Sequence, residues 1–255
     1  MRECFRAERM KYRRTSIKGM TVGMPLITVV LAAWLTHVYF AVDSYNWWYI
    51  GLYPGFLGML CGIIGGKDKR KKNYTIWSLP CSMGSIWDAK VLVGVMMSGI
   101  SVICVVALTI LAGTGMEAVL HIQFIASPSL GAQLLAGVVM WLTTLWQIPF
   151  CLFLTQKMGT FLMLVIHMGL YTILSVTASL TAWFPLFPWA ITARLMCPIL
   201  GVMPNGLLLQ PGQMTYSAQL GDMSSLLTGI PAALLWFGLF WIGSRKCFER
   251  QVAAK

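Results

Sequence analysis

Six stretches of about 20 or more residues run through this 255-residue chain without an ionised side chain between their ends. They cover residues 19–41, 47–66, 90–115, 130–155, 160–183 and 225–243. A hydrocarbon core of ~30 Å takes about 20 helical residues to cross. Lipid offers backbone groups no hydrogen bonds, so a spanning segment is a helix or part of a closed barrel. Continuous rather than alternating apolarity disfavours the barrel. Composition agrees: 58% hydrophobic and 11% charged, against ~45–50% and ~25% in a soluble domain. The same richness in large apolar residues excludes a disordered chain. The expected fold is an all-α integral membrane protein with six transmembrane helices in one domain, residues 1–255. The first run is too long for the 7–15-residue apolar region of a signal peptide, and no small-residue cleavage site stands out, so it reads as a retained helix.

The net charge of +11 comes from 19 Lys and Arg against 8 Asp and Glu. On a soluble protein that balance would suggest nucleic acid; here its distribution gives it another meaning. Basic residues cluster before the first run, between the second and third, at Lys157, and after the sixth. Alternation puts 18 of the 19 on one side, with Arg194 alone opposite. By the positive-inside rule both termini are expected in the cytoplasm, and no nucleic-acid partner is implied. Residues 188–209 are apolar enough to suggest a seventh crossing. They contain Arg194, Pro198 and Pro204, and a crossing there would carry the C-terminal basic residues outside. A re-entrant or surface-lying part of an extracytoplasmic segment, residues 184–224, is expected instead. The topology leaves Cys197 as the only external cysteine, so no extracellular disulfide is available, and no C-x-x-C supports a metal or redox site.

The run interiors contain no Asp, Glu, Lys or Arg, which disfavours an ion-coupled carrier, since such proteins relay ions through ionisable groups at membrane depth. His37 and His167 read as hydrogen-bonded or headgroup-level residues. There is no H-E-x-x-H, no Walker-type G-x-x-x-x-G-K-[ST] and no carboxylate pair within the runs. No catalytic residue, metal ligand or cofactor site is therefore expected on this chain.

In the second run, Gly51, Gly55, Gly58, Gly62 and Gly66 fall within ~80° of one helical face. Missing side chains there let another backbone approach closely, either as ordinary packing or as a sliding contact. Pro25, Pro54, Pro149 and Pro231 lie in or near runs, where each can kink a helix. In the N-terminal segment, residues 1–18, Arg2, Arg6, Arg9 and Arg13 fall within ~60° of one another on a helix, a stripe suited to anionic headgroups, with Phe5 and Tyr12 beside it.

The loop at residues 67–89 carries the most information. It opens with Lys67, Asp68, Lys69, Arg70, Lys71 and Lys72, then changes to Asn73, Tyr74, Thr75, Ile76, Trp77, Ser78, Leu79 and Pro80. A short helix would end before Pro80 and present Tyr74, Ile76, Trp77 and Leu79 as a docking surface, unless Trp77 and Trp87 are interfacial anchors. Ser85-Ile86-Trp87-Asp88 offers a capping pattern for the start of the third span.

At this loop the sequence resembles permeases of the ABC-2 class of ABC transporters: Ser78-Leu79-Pro80, then Ile86-Trp87-Asp88-Ala89-Lys90 and a long span, look like that family's "S-L-P, then I-W-x-x-K" pattern. The nearest likeness is to the E- and G-type permease subunits of lantibiotic-immunity transporters, and it extends over the whole chain to the Arg245–Arg250 tail. The resemblance implies a half-transporter that pairs with a second permease, as a heterodimer, and with two copies of a cytoplasmic ATPase that holds the ATP and Mg²⁺. It implies that residues 73–79 form a coupling helix, with Asn73, Tyr74, Ile76, Trp77, Leu79, Pro80, Trp87 and Lys90 at the ATPase-coupling region. It further implies a bacterial plasma-membrane protein that expels amphipathic antimicrobial peptides from the membrane. A non-transporting immunity or sensor protein that binds the peptide directly is the alternative.

Overall fold

The computed structural model describes residues 2–69 and 81–253. Among them the chain is helical, apart from connecting turns and an isolated antiparallel bridge between Val202 and Leu208. Six helical runs are long and apolar enough to cross a membrane: Ile17–Leu35, His37–Lys69, Met83–Leu120, Leu130–Met158, Thr160–Leu180 and Ser225–Arg250. A short amphipathic helix, α1 (Arg2–Lys11), precedes them.

The first run, α2 (Ile17–Leu35), ends six residues before the expected boundary at residue 41. A tight turn at His37–Tyr39 leads into α3 (Phe40–Trp47), which packs against α2 and continues through a widened turn, Trp48–Leu52, into α4 (Tyr53–Lys69). Asp43, expected between spans, therefore lies inside the second helical run. The widened turn has a local cause. Pro54 has no N–H to offer the carbonyl of Ile50, so the ladder is re-formed with a longer loop.

The third run is a single helix, α5 (Met83–Leu120), of 38 residues. At 1.5 Å per residue it is ~57 Å long, so it outreaches the hydrocarbon core. Its cap is Ser82, whose Oγ accepts from the Ser85 N–H at 3.2 Å, rather than the expected Ser85. Ser82 has an extended backbone, which suits the cap position; Ser85 is already helical. The fourth run is broken. Helix α6 (Leu130–Thr144), capped by Ser129, gives way at Leu145 and Trp146 to α7 (Gln147–Met158). Pro149 explains the position, since its ring collides with the carbonyl four residues earlier, that of Leu145. Helix α8 (Thr160–Thr177) follows across Gly159 (φ 94°), a left-handed turn that glycine accepts without strain.

Helix α9 (Pro188–Leu200) has 13 residues, so at ~20 Å it is too short to cross the membrane. Among the described residues no seventh helix is long and apolar enough to cross a membrane. The helix is almost wholly buried against α6, α8 and the last helix, α10 (Ser225–Ala253), and Thr192 shares a 3.0 Å hydroxyl hydrogen bond with Thr143 of α6. Arg194, 7% exposed, donates to the Gln219 carbonyl at 2.7 Å and lies over the Phe184 ring. Aromatic side chains fill the space around the break in the fourth run: Trp146 meets Trp189 edge-on at 5.0 Å, and Phe150 meets Phe240 at 5.2 Å. The outer surface is apolar too, with Phe161 and Leu227 about four-fifths exposed, as expected where lipid rather than water is the solvent.

Candidate functional site

One end of the bundle carries a cluster of buried charges. The chain enters it three times: from α1 and the turn after it, from the end of α4, and from the second turn of α5. Lys90 of α5 is fully buried and pairs with Asp68 of α4, and with Glu8 of α1 at 3.4 Å. Lys11 completes the set, 2.6 Å from Glu8 and 3.4 Å from Asp68. The Tyr12 hydroxyl donates to Glu8 at 2.8 Å and to the Ile64 carbonyl at 3.1 Å. Two cations thus face two carboxylates, which is what burial of charge demands, since an unpaired ion would cost several kcal/mol. Burial, with Glu8 and Asp68 beside it, pushes the Tyr12 phenol far above its ordinary value, so it acts as a neutral donor. Burial alone would lower Lys11, but the Glu8 and Asp68 carboxylates outweigh it and hold the ammonium above its usual range. Lys67 adds a bond to the Lys11 carbonyl and sits over the Tyr12 ring.

A second set of contacts ties the start of α5 to the end of α10. The Trp87 indole donates to Ser244 Oγ at 3.0 Å and its ring lies 4.9 Å from Phe248. The Trp241 indole donates to Asp88 at 2.8 Å, and Arg245 approaches the same carboxylate at 3.5 Å. Lys69, at the end of α4, donates to the Thr155 and Lys157 carbonyls and so caps α7. Cys4 Sγ lies 2.7 Å from Cys81 Sγ, which ties α1 to the residue that leads into α5. The four basic segments recognised in the sequence therefore meet at one end of the bundle.

Asn73, Tyr74, Ile76, Trp77, Leu79 and Pro80 lie outside the described residues. Trp87 and Lys90 are both buried in the two clasps rather than displayed on a surface, so any part they take in coupling runs through the helices they hold. The glycine face is turned towards α8. A Cβ at Gly58 would lie 2.6 Å from Leu164 Cδ2, one at Gly62 would collide with Thr160, and those at Gly55 and Gly66 would make ordinary contact with Met168 and Thr160, whereas Gly51 faces open space. Gly65, off the expected face, meets Thr155 of α7 at 3.1 Å. His167 is an interhelical residue, its Nε2 3.1 Å from Gln147 Oε1, and the exposed His37 bonds the Ala33 carbonyl at 2.8 Å.

Glu8, Lys11, Tyr12 and Asp68 were not singled out as a site by sequence reasoning, although a signal existed. Glu8 and Asp68 are isolated acids within strongly basic stretches, where a solvated positive flank has no use for a carboxylate. Among the described residues, no group of three or more His, Cys, Asp or Glu side chains is placed to hold a metal ion. Comparison with protein-family models, with curated proteins and with solved structures gives no match for this chain.

Proposed function

We propose that this protein is the membrane-spanning permease subunit of an ATP-driven ABC exporter in a bacterial plasma membrane. Its termini and residues 70–80 face the cytoplasm, in keeping with the positive-inside rule. Helix α9 and the turns around it form a re-entrant extracytoplasmic element within residues 184–224. ATP hydrolysis belongs to a separate ATPase, two copies of which engage this chain and a second permease. The substrates are lantibiotic-type peptides, removed from the membrane for self-protection or resistance.

The observation that carries the reading is the wiring on either side of residues 70–80. Asp68, just before them, is bonded to α1 and α5; Trp87, Asp88 and Lys90, just after them, are bonded to α10, α1 and α4. A push on the intervening segment would thus reach helices α1, α4, α5, α7 and α10 through polar contacts that resist stretching, which is what a coupling element requires. The "I-W-x-x-K" pattern acquires a physical meaning here, its Trp and Lys being the residues that hold the lever to the bundle.

Trp77→Ala and Leu79→Asp are expected to weaken association with the ATPase about tenfold or more, the loss typical of a central aromatic anchor, while leaving the unfolding temperature of the membrane domain unchanged. Co-purification of the ATPase is the readout. Undiminished co-purification with both variants would overturn the coupling role of residues 73–79.

A further inference from the structure

The exposed side of α1 and the outward side of α5 carry two adjoining cavities of different chemistry, which share Met96 and Ile100 in their linings. At the charged end of the bundle, a cavity of about 650 Å³ is lined by Arg6, Arg9, Arg13 and Lys18, with Met96 and Ile100 of α5 on its far wall. Those same two residues also line a second cavity of about 580 Å³ between α5 and α6, which runs past Ile103 and Ala107 to Val138 and Trp141. Its lining has no ionisable side chain, and the Trp141 indole is turned to Ser98 Oγ at 3.2 Å. From Val95 to Ile110 the apolar part follows α5 for ~22 Å, more than half the hydrocarbon thickness.

The four cations at its mouth differ from those of the neighbouring clasp. Lys11 and Lys90 spend their charge on Glu8 and Asp68. Arg6, Arg9, Arg13 and Lys18 are exposed and make no ion pair with any described residue. Four uncompensated cations opening onto a hydrocarbon-lined trough fit a molecule with an anionic head and an apolar tail. They disfavour a cationic peptide, and equally a second copy of this chain, whose corresponding end is also basic. We propose that the two adjoining cavities are a specific site for an anionic phospholipid: Arg6, Arg9, Arg13 and Lys18 hold the phosphate, and an acyl chain lies between α5 and α6. The proposal rests on the membrane placement of the six helices and not on the transport reading.

Native mass spectrometry of the full chain in detergent tests it, with phosphatidylglycerol and phosphatidylcholine of identical acyl chains as probes. Phosphatidylglycerol should be retained at a concentration at least tenfold below that needed for phosphatidylcholine. The triple variant Arg6→Gln/Arg9→Gln/Arg13→Gln should remove that preference, and Ala107→Trp, which fills the trough from an exposed position, should weaken retention of both lipids. All these residues are exposed, and unfolding temperatures equal to the unaltered chain check that the variants are folded. Phosphatidylglycerol retention unchanged in either variant would overturn the proposal. So would competition by glycerol phosphate at the same concentration as the lipid, which would make this a bare anion site. A dimer that Ala107→Trp splits without loss of the lipid would assign the trough to a second copy instead.

Discussion

Lys90→Met is expected to lower the stability of the membrane domain by about 3–5 kcal/mol, the usual loss when one partner of a buried ion pair is removed. Lys90 is fully buried and faces Asp68 and Glu8. Without its ammonium, two carboxylates share the single cation of Lys11, and one of them must take up a proton or draw in water. The loss comes from the stranded charge rather than from lost packing, because Met fills much the same volume. Lys90→Met combined with Asp68→Asn should therefore recover part of the stability, since the cluster is again balanced with Lys11 against Glu8. Lys18→Met, at an exposed position on the same side, should change stability by no more than about 0.5 kcal/mol. Thermal unfolding in detergent, followed by tryptophan fluorescence, separates these outcomes. A single variant as stable as the unaltered chain would mean that the clasp holds nothing together.

Gly62→Leu is the second large effect. A bare Cβ at Gly62 already collides with Thr160, and the approach is fixed by the Thr160 hydroxyl, which donates to the Gly62 carbonyl at 3.4 Å, and by Gln156, which donates to the Gly65 carbonyl at 2.8 Å. A leucine must push α4 away from the start of α8, break those bonds and overpack the interface, at a cost of at least about 1–3 kcal/mol. Thr160→Ala in the same chain should restore some of the loss by making room. Gly51→Ala, whose added carbon meets nothing within 4 Å, should be near neutral. Equal unfolding temperatures for Gly62→Leu and Gly51→Ala would contradict the close approach of α4 and α8.

The six long apolar helices were legible because hydropathy is a property of a window, and each window is long. Their ends were less so. The first run looks apolar to residue 41, yet α2 stops at Leu35, because the chain turns at His37–Tyr39 and gives Phe40 to the next helix. The break at Leu145 is legible in principle, since Pro149 lies within the run and its clash falls four residues back; hydropathy alone runs straight through it. The glycine face was legible from its helical period, and at Gly58 and Gly62 the structure uses it as a close helix contact. What the letters could not convey was burial at the charged end. Trp87 and Lys90 look the same in sequence whether they face an ATPase or the interior. Their partners, Ser244 and Glu8, stand 157 and 82 residues away respectively, and pairing at that separation leaves no local pattern. Asp68 is nearer, but it sits among lysines that hide it.

The claim that this chain moves peptides with energy from ATP is tested most directly in living cells. Cells carrying the chain with its partner permease and ATPase are challenged with a lantibiotic-type peptide, and survival and peptide release are compared between an active ATPase and one whose nucleotide-binding lysine has been replaced. Protection and release are expected with the active ATPase, and loss of both with the inactive one. Equal protection by the two would contradict the claim, and would instead favour a membrane protein that intercepts the peptide by binding alone.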